Sequence, residues 1–115
     1  MAAAVPAVVE RTEATEWLAR RLADTRPGNV TVVFHSIIEV YLSAERRARI
    51  RELLEDAGTR ATRTAPLAWL RFEHAWDAEL GLECEVTLTT WPGGERRVLA
   101  TALPHGPPIR WLDPA

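Results

Sequence analysis

Residues 29–73 read NVTVVFHS (29–36), SAERRARIRELLEDAG (43–58) and APLAWLRFE (65–73), joined by short connecting segments. The first run is apolar from Val30 to Phe34 apart from Thr31, with no polar alternation, which predicts a strand over 30–35 buried on both faces. The middle run predicts a helix over 44–57. Ser43 is placed as its N-cap, Glu45 lies in the first turn, and Ile50, Leu53, Leu54 and Ala57 form the buried stripe. Gly58 is positioned to end it in a left-handed C′ conformation. The third run predicts a strand over 67–74, with Ala68, Leu70 and Phe72 on one face and Leu67, Trp69, Arg71 and Glu73 on the other, one core and one partly wet. Strand, helix and strand in this order make one crossover of a parallel sheet, so the chain reads as α/β.

Working outward, Ala14, Trp17, Leu18, Arg21 and Leu22 recur at helical spacing and predict a helix over 10–24, stopped by Asp24-Thr25-Arg26-Pro27-Gly28. Residues 37–42 fit either a connecting turn or a short helical segment. Beyond the second strand, Leu82, Cys84, Val86 and Leu88 alternate with polar residues, and Trp91-Pro92-Gly93-Gly94-Glu95 turns into a partner strand. This predicts a hairpin over 82–103, with Leu88 opposite Leu99 and Trp91 opposite Arg96. Only about eight residues, Ala75 to Leu82, separate it from the preceding strand. A parallel crossover needs about a dozen or more, so the connection is expected to be antiparallel. Pro104 to Pro108 then interrupts the chain, and Ile109 to Leu112 fits a short strand or coil. The expected fold is a small mixed sheet with a strand-helix-strand crossover followed by a C-terminal β-hairpin, in one domain or part-domain over 1–115.

The chain has 115 residues, of which 47% are hydrophobic and 26% charged, the balance of a folded globular domain. A net charge of −2 argues against a nucleic-acid binder, which needs basic surface to neutralise phosphates. The one basic cluster, Arg46, Arg47, Arg49 and Arg51, shares its helix with Glu45, Glu52, Glu55 and Asp56, and so reads as a solvated, ion-paired face. No segment approaches the ~20 apolar residues of a membrane span, and the N-terminal run lacks a basic flank for a signal peptide. A cytoplasmic protein is expected. The lone Cys84 falls on the apolar parity of its strand and reads as core, with no base beside it in sequence to activate a thiol.

The order VVFHS, YL with an Arg-rich helix, APLAWLRFE, LTTWPGGERRVLATALPHG and a terminal IRWL resembles the C-terminal portion of the bacterial domain-of-unknown-function 2332 family. That resemblance implies a Rossmann-related, methyltransferase-like portion, of which this chain would correspond to the second half. It implies no established activity. The glycine-rich strand-to-helix turn that seats a cofactor in such folds is missing from this sequence, so no cofactor is expected. The reading is of a chain that is not an enzyme on its own. Two alternatives are a degenerate methyltransferase-like ligand-binding domain and an assembly module that completes its sheet with another chain. Self-association or an N-terminal partner segment would cover the edge and face that a half-sheet leaves open.

Ligands of parallel sheets bind outside the carboxyl ends of the strands. His35, Ser36 and Glu39 follow the first strand there, and Glu73, His74 and Asp77 end or follow the second, making these six the candidate ligand-binding residues. Within them, His35, Ser36, Glu73 and His74 are the candidates for catalysis, as a base with its carboxylate and a hydroxyl target. The alternative is that the same groups satisfy backbone at strand ends. His35, His74 and His105 could meet at one sheet edge, but they have no local ligand spacing, and no metal is assigned. Of the five tryptophans, Trp17 and Trp69 read as core, while Trp76, Trp91 and Trp111 sit where exposure is expected.

Overall fold

The computed structural model describes residues 7, 10–75 and 83–112. Helix α1 (Ala14–Ala23) leads into strand β1 (Thr31–Ser36), a single 3₁₀ turn (Glu39–Tyr41), helix α2 (Ala44–Arg60) and strand β2 (Leu67–His74). Strands β3 (Cys84–Trp91), β4 (Glu95–Leu103) and β5 (Gly106–Trp111) follow. The five strands form one sheet in the order β1-β2-β3-β4-β5. Strands β1 and β2 are parallel, and every later pair is antiparallel. The short connection after β2 therefore does what its length requires. The mixed α/β architecture is the one the sequence pattern predicts, and Gly106–Trp111 adds a fifth strand that begins within the expected interruption and includes Pro107 and Pro108.

Both helices lie on one face. Leu18 and Leu22 of α1 and Ile50, Leu54 and Ala57 of α2 form the core with Leu67, Trp69 and Trp91, and Val33 packs against them. Ser43 caps α2 by accepting from the Arg46 amide at 3.2 Å. Helix α2 runs to Arg60, beyond the expected stop at Gly58. Gly58 is an interior helical residue: a Cβ there would lie 2.5 Å from the Trp91 indole, so the glycine makes room for a ring and does not end the helix. For the same reason Trp91 is core, against the expectation of exposure; Trp76 lies outside the described residues.

Two further expectations are corrected. Strand β1 is half-buried on one face and exposed on the other. Thr31, Val33 and His35 turn toward the helices, while Val32 and Phe34 stand 56% and 62% exposed on the other side. The unbroken apolar run thus reflects a face that no described element covers. The same face continues through Ala68, Leu70 and Phe72 of β2 and Val86 and Leu88 of β3 to Ile109 and Trp111 of β5. The core face of β2 is the one carrying Leu67, Trp69, Arg71 and Glu73. The hairpin register also differs: Thr90 pairs with Glu95, Leu88 with Arg97 and Val86 with Ala100, with a shift between Val86 and Thr87. The turn closes one residue earlier than expected, around residues 91–94, because Gly93 and Gly94 both take positive φ and the Gly94 amide donates to the Thr90 carbonyl at 2.9 Å. One extra residue in β4 then restores the alternation.

Candidate functional site

The carboxyl ends of β1 and β2 hold a closed polar network on the helix-covered face. Its centre is Glu73, whose side chain is 2% exposed. The Glu73 Oε1 accepts from the amides of Ile38 at 3.1 Å and Glu39 at 3.2 Å, and its Oε2 lies 2.5 Å from His35 Nδ1. The chain is shaped for this contact. Ile37 sits at φ 49, an unusual left-handed conformation for a β-branched residue, and Ile38 follows in the right-handed region. That alternation points two successive amides inward as a small anion-binding nest. The Glu73 carboxylate fills it, which offsets the local strain.

His35 is held at both ring nitrogens. The Trp69 indole N–H donates to His35 Nε2 at 3.0 Å, which makes Nε2 the acceptor and places the ring proton on Nδ1, where it is donated to Glu73. Behind this pair, the Arg71 guanidinium grips the Glu39 carboxylate through two nitrogens, Nη2 at 2.6 Å and Nε at 3.1 Å. Arg71 also stacks 4.8 Å from the Trp69 ring centre, and Arg51 of α2 approaches the same ring at 5.7 Å. The network runs Glu39, Arg71, Trp69, His35, Glu73 and back to the Glu39 amide. Among the described residues no buried side-chain polar atom lacks a partner.

Of the six candidates, the structure brings together His35, Glu39 and Glu73, whose ligand atoms lie within 4.8 Å of one another. Ser36 and His74 belong to the opposite face, because side chains alternate along a strand and each is one residue removed from a member of the network. His74 instead meets Cys84, Nδ1 to Sγ 3.6 Å. Burial, and after it the Glu73 carboxylate, pushes the Cys84 thiol up from its ordinary pKa, so the group stays a thiol near neutrality. Asp77 lies outside the described residues. The turn carrying His105 joins β4 to β5 at this same end of the sheet, as the antiparallel connection implies. It is nonetheless about 14 Å across the sheet from β1, three strand spacings, so the three histidines do not converge.

Sequence reasoning did not find the roles of Arg71 and Trp69. The signal was present: a strand whose core parity reads Leu67, Trp69, Arg71, Glu73 places two charges inside, and a buried charge requires a partner. The arginines of α2 are also committed. Arg47 donates to the carbonyl of Leu42 at 2.7 Å, Arg49 pairs with Glu52, and Arg60 pairs with Asp56.

Over residues 1–111 the sequence matches the family described as "Uncharacterized protein conserved in bacteria (DUF2332)". The chain belongs to that family. No curated protein and no solved structure is found to match it. Family membership therefore brings no named activity, and the geometry of the domain has to carry any functional reading. No described helix is long and apolar enough to cross a membrane.

Proposed function

We propose that this DUF2332 domain is an assembly module, which works by completing its sheet at β1 against another polypeptide, and that the Glu73 network is the strut holding that edge in shape. The observation that carries the reading is the edge itself. In the parallel pairing with β2, the amides of Thr31 and Ile37 donate to Pro66 and Phe72, so residues of that parity face β2. The N–H and C=O groups of Val32, Phe34 and Ser36 then point away from the sheet. Strand β1 carries no proline, no charge and no register shift, the devices by which proteins keep an exposed edge from pairing. Its outward side chains are apolar and exposed. The strut supports the reading because every ring nitrogen and carboxylate in it is already engaged by a protein partner, as expected of groups that hold a fold in place. A cytoplasmic setting with no nucleic-acid partner suits a near-neutral domain whose single cysteine is an unpaired thiol.

The test is whether Val32 and Phe34 belong to the fold or to an interface. Val32→Lys and Phe34→Lys should each change the stability of the isolated domain by less than about 1 kcal/mol in urea titrations, as for exposed positions. A loss of about 3 kcal/mol or more would mean that the chain itself buries these side chains, and the assembly reading would fail.

A further inference from the structure

We infer that the polypeptide pairing with β1 is a second copy of this chain, joined antiparallel about a two-fold axis at Val33 to give a closed dimer. The inference rests on the assembly reading and names its partner. Three features of the structure lead to it. The first is register. The outward backbone groups belong to Val30, Val32, Phe34 and Ser36, which are spaced evenly about Val33. Turning a second strand about that point sets Val32 opposite Phe34 of the second copy and Val30 opposite Ser36 of the second copy. Every outward N–H then meets an outward C=O, and β1 is its own complement.

The second feature is charge. Residues 29–38 contain no Asp, Glu, Lys or Arg, so bringing the strand against itself juxtaposes no like charges. Side chains directly opposite in an antiparallel pair share a face. Val32 therefore packs beside Phe34 of the second copy on the open side, where both are now exposed.

The third is closure. The opposite edge of the sheet, β5, begins Gly106-Pro107-Pro108, carries Arg110 and has a register shift where it leaves β4. The Leu112 amide donates to the Leu99 carbonyl, so the backbone groups of Ile109 and Trp111 face outward, while Pro107 and Pro108 fall at the register shift and have no N–H to offer. With one receptive edge and one blunted edge, association stops at two copies and does not run on as a fibre. Two five-stranded sheets become one of ten strands. The contact is a single pair of six-residue strands, smaller than a standard interface, so the dimer should be a micromolar one.

Sedimentation equilibrium of the full chain, combined with amide exchange read residue by residue, tests this. The expected result is a monomer-dimer equilibrium with no larger species. Protection at Val32 and Phe34 should rise about tenfold from low to high micromolar protein, while Val33 and His35 stay unchanged. Phe34→Lys should weaken the dimer about tenfold or more, and Ile109→Lys on the far edge should leave it as it is. A monomer at every concentration, a dimer whose Val32 and Phe34 amides remain fast, or species larger than two would each overturn the two-fold pairing. None of these results would bear on the assembly reading itself, which depends on the stability of the lysine variants and not on which polypeptide binds.

Discussion

The two edges of the sheet are built on opposite terms. Strand β1 is fastened from within: its end is clamped to β2 by a buried carboxylate, its Val33 packs against the core cluster, and its outer backbone groups are left open. Strand β5 is fastened only to β4, none of its residues joins the core cluster, Trp111 is 71% exposed, and prolines, an arginine and a register shift interrupt it. A protein needs to rigidify an edge only if something must recognise it, and needs to blunt an edge only if pairing there would be harmful. The contrast separates a docking edge from a protected one.

The comparison is most exposed at Glu73. Replacing it with alanine removes the carboxylate that accepts from the amides of Ile38 and Glu39 and takes away the Nδ1 partner of His35 in a buried setting. Orphaned buried donors and a lost charged hydrogen bond together predict a loss of about 3–5 kcal/mol in urea unfolding. Amide exchange at residues 37–39 should accelerate as the strained turn at Ile37 relaxes. Glu73→Gln, which keeps the shape and one acceptor, should cost less. A change below about 1 kcal/mol for the alanine variant would show that β1 is no better anchored than β5.

Much of the β1 side is legible in the sequence. The crossover, both helices and the placement of His35, Glu39 and Glu73 at one sheet edge follow from periodicity and the loop lengths between runs. What periodicity does not carry is which face of a run is covered. Val30 to Phe34 reads the same whether its second face meets a helix of this chain or a surface outside it, and the burial expectation failed there for that reason. The long-range pair between Glu39 and Arg71 was hidden because its partners are 32 residues apart and only the β1–β2 register brings them together. The hairpin register was missed because two consecutive glycines allow more than one way to close a loop.

Gly58 was misread on similar grounds, since a glycine near a helix end looks like a stop signal until its neighbour is known. Its packing predicts an effect of intermediate size. Gly58→Ala would improve helix propensity by about 1 kcal/mol but would drive a methyl group to within 2.5 Å of the Trp91 ring. Overpacking of that kind costs about 1–3 kcal/mol, so the net expectation is a loss of about 1 kcal/mol. Chemical denaturation would measure it, and Trp91 fluorescence should shift as the indole is displaced. A stabilised variant would mean that the joint between α2 and the sheet is loose, and that the β1 half is less rigid than the contrast between the edges requires.

The smallest effect on stability belongs to β5, and there the comparison can be reversed. Pro107→Thr restores an amide donor on a strand with little packing to lose, and should move the unfolding free energy by only about 0.5 kcal/mol. Association should change more. Without Pro107, one of the residues that blunt the edge beside Ile109 and Trp111 is gone, so dimers joined at β1 should add further copies through β5. Sedimentation velocity should then show species beyond the dimer that vanish when Phe34→Lys is added, because a chain of copies needs both edges. If the Pro107→Thr variant forms larger species that survive Phe34→Lys, pairing at β5 alone is enough to build them, and the open edge at β1 would no longer be the one that decides assembly.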